Sequence, residues 1–113
     1  MYTRILISVG SVSVEGELFD TACARAITKE LPIETENNEW GDEFYFEVPV
    51  DMSLDKSATK EVKVGDIGYW PYGKAVAIFF GPTPLSAGEE PVPAGEVMLV
   101  GQIIGDAAVL RKG

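Results

Sequence analysis

A chain of 113 residues with 46% hydrophobic residues has material for one core, so we expect a single domain over residues 1–113. Nine Lys and Arg residues against eighteen Asp and Glu give a formal charge of -9, which opposes binding to nucleic acid or to an anionic membrane. The chain has no histidine, which excludes Ser-His and Cys-His nucleophile pairs and imidazole metal ligands.

A single cysteine, Cys23, excludes an intramolecular disulfide bond and is typical of a reducing compartment. The first residues contain only a short apolar run and lack the pattern of a signal peptide. No segment approaches the roughly 20 apolar residues of a transmembrane helix. These features predict a cytoplasmic protein without membrane contact, and they leave both a monomer and a homodimer open.

The beginning of the chain predicts a hairpin followed by a helix. Residues 2–9 and 12–18 alternate apolar and polar side chains, and the Gly10-Ser11 pair between them is typical of a tight turn. Apolar residues at helical spacing then predict a helix that begins at Asp20, as its N-cap, and ends at about Leu31 before a proline.

The rest of the chain is predicted to form strands and loops. We expect strands at residues 33–39 (weak), 43–50, 61–64, 67–70, 75–80 and 96–104. Residues 51–60 are a predicted loop, and the proline-rich residues 81–95 are either a lid over a groove or a plain connection. Gly101 inside the last strand indicates a bulge or a bend of the barrel. Seven or eight strands and one short α-helix favour a mainly β, closed barrel, because closure removes exposed strand edges.

Most of the aromatic residues lie between Trp40 and Phe80. Trp70 and Tyr72 flank Pro71 in a predicted turn, where a large ring is difficult to bury completely. Aromatic rings beside a groove provide contact surface for peptides and small ligands, and the alternative is that these rings fill the core.

An acidic segment extends from Glu30 to Asp55, with nine carboxylates and no Lys or Arg between them. Carboxylate oxygens are ligands for calcium, and paired carboxylates can act as acid and base. The spacing does not match a calcium-binding loop, so we interpret the segment as a solvated acidic face and predict no bound metal. Glycine-rich nucleotide-binding patterns are missing from the sequence, so we predict no cofactor.

Two segments carry a resemblance to a known family. The sequences NEWGDEFYFEVPV, residues 38–50, and GDIGYWPYGKAVAIFFGPTP, residues 65–84, resemble the small prokaryotic cyclophilin-like proteins, a domain family of unknown function. The second segment is the more specific one, and the resemblance extends over nearly the whole chain. It implies a reduced, closed, eight-stranded cyclophilin-type barrel, which agrees with the strand count.

True cyclophilins isomerise X-Pro bonds with an arginine, a histidine and aromatic residues in a groove. The resemblance implies that Phe80 matches a proline-pocket phenylalanine and that Phe46 is a second pocket ring. The histidine is missing, and the segment Tyr45-Phe46-Glu47 contains no arginine where those enzymes have one. The resemblance therefore implies at most a poor isomerase.

We therefore predict a binding module whose ligand is an extended peptide or a small apolar molecule, and the acidic charge of the chain favours a cationic ligand. Five aromatic side chains are expected to line its groove: Trp40, Phe46, Trp70, Tyr72 and Phe80. A weak or atypical peptidyl-prolyl isomerase is the alternative, and a hydrolase or a metal-dependent enzyme that uses the acidic segment is a third hypothesis.

Overall fold

The computed structural model describes residues 2–36, 38–53, 55–56 and 58–112. Five residues of the chain lie outside this described part: Met1, Asn37, Leu54, Ser57 and Gly113. Asn37 belongs to the predicted weak strand, Leu54 and Ser57 belong to the predicted loop, and Met1 and Gly113 are the ends of the predicted domain. The described elements are β1 (Thr3–Val9), β2 (Val12–Leu18), α1 (Ala22–Thr28), β3 (Asn38–Glu39), β4 (Glu43–Glu47), β5 (Ala58–Thr59), β6 (Asp66–Trp70), β7 (Ala75–Phe79) and β8 (Val97–Ile104). Two 3-10 helical segments, Pro71–Gly73 and Ala107–Lys112, complete them.

The strands form one antiparallel sheet in the order β1-β2-β8-β6-β7-β4-β3, and β5 pairs with β8 outside this path. The sheet is strongly curled but open, since β1 and β3 end the path without pairing with each other. The mainly β fold with one α-helix is confirmed, and the prediction of a closed barrel is wrong. Closure would need a strand between β1 and β4, and β3 supplies only two residues there.

The hairpin of β1 and β2 forms as the alternation of the sequence predicts. Its register extends from Thr3 opposite Leu18 to Val9 opposite Val12. Gly10 in the connection has a φ of 59°, a conformation that glycine adopts without a steric penalty. Side chains of β1 alternate between partly buried and exposed positions, so one face of the strand packs on the core.

Helix α1 differs from the prediction at both ends. The Oγ1 atom of Thr21 accepts a hydrogen bond from the Ala24 amide at 3.1 Å, so Thr21 is the N-cap and not Asp20. The helix ends at Thr28, and the chain continues through a turn to Leu31. The buried side of the helix packs against the sheet, and its buried residues are Cys23, Ala24 and Ile27.

Several predicted strands are shorter in the structure. The strand expected at residues 43–50 ends at Glu47, since Pro49 has no amide hydrogen to continue a ladder. The weak strand at residues 33–39 is reduced to its last two residues, and residues 61–64 form no strand. The segment 33–39 contains a single apolar residue, Ile33, and so offers no apolar face to bury. Residues 61–64 do alternate, and Val62 is buried, but this segment pairs with no described strand.

The bulge predicted at Gly101 is present between β6 and β8. The register changes from Ile67 opposite Gly101 to Gly68 opposite Leu99, so β8 holds one extra residue. A side chain at Gly101 would collide with the backbone oxygen of Glu17 on β2, which explains why glycine is needed there.

The sheet separates two apolar clusters. The larger cluster lies on the inner face, which we define as the face covered by α1, and includes Phe44, Ile67 and Ile78. The smaller cluster lies on the outer face, and its buried members are Val62, Ala77, Phe79 and Val97. Among the described residues, no helix has both the length and the apolar character that crossing a membrane requires.

A candidate apolar binding pocket

The opening of the curled sheet holds an apolar cavity of about 490 Å³, which we call the seam pocket. Strand β1 forms one wall, the segment Leu31–Thr35 after the helix contributes a second, and the inner face of the sheet forms the floor. Its volume lies within the range of small-ligand sites. The lining residues of the floor are Phe44, Phe46, Ile67, Val76 and Ile78, with Leu18 and Ile27 beside them.

The wall formed by β1 shows how the seam pocket lies relative to the strand. All six residues from Arg4 to Val9 line it. Successive side chains of a strand point to opposite faces, so a cavity on one face would contact only every second residue. The involvement of consecutive residues places the seam pocket along the edge of β1. Within the described part of the chain, β1 pairs only with β2, so this edge is open.

The register identifies the backbone groups at this edge. Val9 and Val12 flank the two-residue turn Gly10-Ser11. In a hairpin with a two-residue turn, the backbone N–H and C=O groups of the two flanking residues bond to each other. Because bonded and non-bonded pairs alternate along an antiparallel ladder, Ile7 directs its backbone groups to β2, whereas Leu6 and Ser8 direct theirs to the open edge. The next strand pair agrees with this pattern. Gly16 directs its backbone groups to Ile5 on β1, so its other neighbour, Ile103 on β8, must direct its own groups away from β2, and the Ile103 amide donates to the Gly65 carbonyl on that side.

The second wall combines apolar lining with external charge. The Leu31-Pro32 peptide bond is cis, and the chain then continues through Ile33 and Thr35 along the pocket. Glu34 and Glu36, next to these lining residues, are exposed. The mouth of the seam pocket is therefore apolar inside and has two carboxylates beside it.

Few polar side chains line the seam pocket. Among its described lining residues these are Arg4, Ser8 and Thr35. The Arg4 guanidinium lies 3.2 Å from a carboxylate oxygen of Glu15 on the exposed surface, so it already has a partner. Such a lining can bind apolar groups, and it contains no carboxylate or amine that could act as an acid or base.

The structure distributes the five predicted aromatic residues over different surfaces and does not form one groove from them. Phe46 lines the seam pocket on the inner face, whereas Trp70 packs against the cluster on the outer face. Tyr72 is 71% exposed and contacts Trp70 edge to face, with ring centroids 6.0 Å apart. Trp40 is half-buried near the β3–β4 turn. The alternation of β4 and β6 puts Phe46 and Trp70 on opposite sides of the sheet.

Phe80 belongs to the core. Its side chain is 3% exposed and its ring lies 4.7 Å from that of Phe44, centroid to centroid. It also borders a small cavity of about 210 Å³ that Glu39, Asp42 and Arg111 share. The Nε of Arg111 donates a hydrogen bond to the Asp42 carboxylate at 2.7 Å there.

The acidic segment does not form a cluster. Among the described residues, no group of three or more His, Cys, Asp or Glu side chains is placed to hold a metal ion. Most of its carboxylates are exposed, but Glu43 on β4 is 7% exposed. Burial raises the pKa of the Glu43 carboxyl to about 7, and its Oε1 has no hydrogen-bond partner among the described residues.

The proline-rich segment 81–95 is held by bonds within itself and to the β3–β4 turn. Thr83 receives an amide hydrogen bond from Leu85 and donates to the carbonyl of Val92, and the Asp42 amide donates to the carbonyl of Pro82. None of its residues lines the seam pocket. Of the two alternatives for this segment, a lid over this cavity is therefore not formed.

Sequence reasoning missed most of the seam pocket. The alternation of residues 2–9 predicts a strand with one apolar face, but the pocket depends on which strands fail to meet, and the pattern of a single strand does not show that. A usable signal was the lack of a convincing strand between α1 and β4, at residues 33–39. That gap left the apolar edge of the first strand without a neighbour.

Both a family model and a solved structure are similar to this chain. A family model described as Cyclophilin-like matches residues 3–113. The solution structure of a hypothetical protein from Archaeoglobus fulgidus is similar, with a TM-score of 0.76 and 37% sequence identity over 90% of this chain and 79% of that chain. No match was found among curated proteins.

Proposed function

This chain belongs to the Cyclophilin-like family, and we propose that its role within that fold is to bind an apolar ligand in the seam pocket. The observation that carries the proposal is the cavity of about 490 Å³ beside the open edge of β1. Its walls and floor are mainly Ile, Leu, Val and Phe side chains. A ligand that displaces water from these side chains is bound favourably, because apolar surface is removed from water.

The size of the seam pocket sets the expected affinity. A ligand that buries about 200 Å² of apolar surface gains roughly 5 kcal/mol from burial. A gain of about 5 kcal/mol corresponds to a dissociation constant of about 0.2 mM, and the lost freedom of the ligand offsets part of it, so we expect dissociation constants near the millimolar range.

Binding has more support than catalysis. Arg4 is the one cationic side chain among the described lining residues, and it pairs with Glu15. Arg111, the arginine beside Phe80, pairs with Asp42. A cyclophilin-type isomerase uses an arginine that approaches the prolyl nitrogen, and both of these arginines form ion pairs with carboxylates.

The proposal is tested with a neutral apolar fluorophore, N-phenyl-1-naphthylamine, whose emission rises when it leaves water. We expect saturable binding and amide shifts in a ¹⁵N correlation spectrum at β1 and at residues 31–35. Phe46→Ala removes a ring from the floor and should weaken binding about tenfold. Thr35→Trp should obstruct the cavity and weaken binding as well.

Tyr72→Ala is the matched control, since Tyr72 is exposed and lies outside the seam pocket. It should bind the fluorophore as the unchanged protein does. If Tyr72→Ala abolishes binding while Phe46→Ala and Thr35→Trp do not, the ligand site is the Trp70–Tyr72 pair and the proposal is wrong.

The isomerase alternative is tested on Ala-X-Pro-Phe peptides by NMR exchange. We expect cis/trans exchange to remain at the uncatalysed rate of tens to hundreds of seconds. Acceleration that disappears in Phe46→Ala would instead make the seam pocket a catalytic groove.

A further inference from the structure

We infer that the occupant of the seam pocket is an extended, positively charged peptide that pairs with the open edge of β1 and inserts alternate apolar side chains. The inference rests on the proposed function, because it names the class of ligand for the same pocket.

The backbone of β1 provides the first argument. Arg4, Leu6 and Ser8 each direct an N–H and a C=O group to the open edge by the register described above. A small apolar molecule would leave these groups to water, whereas an added strand would bond to them. The six lining residues of β1 span about 20 Å, which matches a peptide of about six residues.

The floor provides the second argument. A strand added beside β1 would point every second side chain to the inner face. That face offers Phe46, Val76 and Ile78, which are apolar. The other side chains of the peptide would lie on the outer side next to Leu6, which is 70% exposed. The peptide should therefore alternate apolar and polar residues.

A second copy of this chain fits the same edge less well. Its own β1 could pair edge to edge, but Ile5, Ile7 and Val9 are already packed against their own core. They could not enter the partner's pocket, so the cavity would stay empty. Each copy also carries a formal charge of -9, which opposes association.

Charge selects among peptides. Glu34 and Glu36 are exposed beside the mouth of the seam pocket, and the chain as a whole is strongly acidic. A basic peptide is attracted to such a surface, and salt should weaken its binding through screening. An acidic peptide with the same apolar residues should bind less well.

The first test uses the capped peptide KVTVTVK and two N-methylated forms, one at the threonines and one at the valines. Backbone groups that face β1 belong to the threonines in an antiparallel pairing and to the valines in a parallel one. We expect one of the two forms to bind at least tenfold more weakly than the parent. Equal binding by all three peptides would overturn strand pairing.

The second test uses Leu6→Pro with Leu6→Ala as its matched control. The Leu6 amide faces the open edge, so proline removes a donor from the edge and not from the β1–β2 ladder. Leu6→Pro should bind KVTVTVK at least tenfold more weakly than Leu6→Ala does, because both variants lack the leucine side chain and only the proline also lacks the amide donor. The two variants should bind N-phenyl-1-naphthylamine equally. Equal peptide binding by the two variants would contradict the inference, and the methylated peptides decide the question if Leu6→Pro does not fold.

The fluorophore separates the two proposals. Binding of the fluorophore without binding of KVTVTVK would leave the apolar pocket intact and refute the peptide ligand. Failure of both would refute the proposed function as well. Two changes test the charge argument. The acidic peptide EVTVTVE should bind more weakly than KVTVTVK, and a rise in salt from 50 to 500 mM should weaken the binding of KVTVTVK but not that of the neutral fluorophore.

Discussion

Arg111 and Asp42, 69 positions apart in the chain, form a hydrogen-bonded ion pair with Nε and Oδ2 2.7 Å apart. This pair joins the C-terminal 3-10 segment to the β3–β4 turn. The adjacent Leu110 is completely buried. The same short segment is thus held by one partly exposed charge pair and by buried side chains, of which Leu110 is the largest.

The two contacts should differ in strength. Partly exposed ion pairs contribute about 0–1 kcal/mol, whereas a buried leucine replaced by alanine costs about 2–5 kcal/mol. We therefore expect Arg111→Ala to change the free energy of unfolding little and Leu110→Ala to lower it strongly. Urea denaturation measures both, and an equal loss in the two variants would contradict this assignment.

The buried carboxyl of Glu43 should make stability depend on pH. Its pKa is raised by burial from 4.5 to about 7, so the folded protein keeps it neutral where the unfolded chain ionises. The stability from neutral Glu43 is complete below pH 4.5 and is lost as the pH rises through 7. Glu43→Gln should remove this loss, which amounts to about 3 kcal/mol.

The measurement is urea denaturation of Glu43→Gln and the unchanged protein at pH 4 and pH 8. The variant should gain stability relative to the unchanged protein only at the higher pH. Glu47→Gln is the control, because Glu47 lies on the same strand and is exposed. Parallel pH profiles for all three proteins would show that Glu43 does not titrate as expected.

The hydroxyl of Tyr69 should hold the chain after β4. It donates to the Val50 carbonyl and accepts from the Met52 amide at 3.2 Å, and Tyr69 is 0% exposed. Tyr69→Phe leaves both backbone groups without this partner and should cost about 1–3 kcal/mol. Amide exchange at residues 50–53 should accelerate, whereas Tyr72→Phe at an exposed site should change neither quantity.

Cys23 should be unreactive in the folded protein. Its side chain is 2% exposed, and burial, with a smaller contribution from the charge of Asp55, raises the pKa of its thiol to about 11. Ellman's reagent at pH 8 should therefore label Cys23 only after denaturant is added. Rapid labelling of the native protein would indicate that α1 detaches from the sheet.

The parts of the fold that depend on local pattern could be predicted from the sequence. The first hairpin alternates apolar and polar residues apart from Leu6 and has a glycine turn, and its strands pair in register from Thr3 to Leu18. The bulge at Gly101 was predicted from a glycine inside an apolar strand, and the register confirms it. The Cyclophilin-like resemblance of two segments was also confirmed.

The pairing of distant strands could not be predicted in this way. Closure depends on whether β1 meets a strand near β4, about 35 residues later, and no local pattern reports that. The same limit affected the aromatic residues. Phe46 and Trp70 each suit a ligand site, but only the register of β4, β7 and β6 shows that they face opposite sides.

The position of β8 in the sheet has a consequence for how the protein is made. Strand β8 lies between β2 and β6 and also pairs with β5, although it is the last strand of the chain. The hairpin of β1 and β2 and the group of β6, β7 and β4 have no sheet contact with each other until residues 97–104 are available. The two halves of the sheet can therefore join only after residues 97–104 have been synthesised and have left the ribosome.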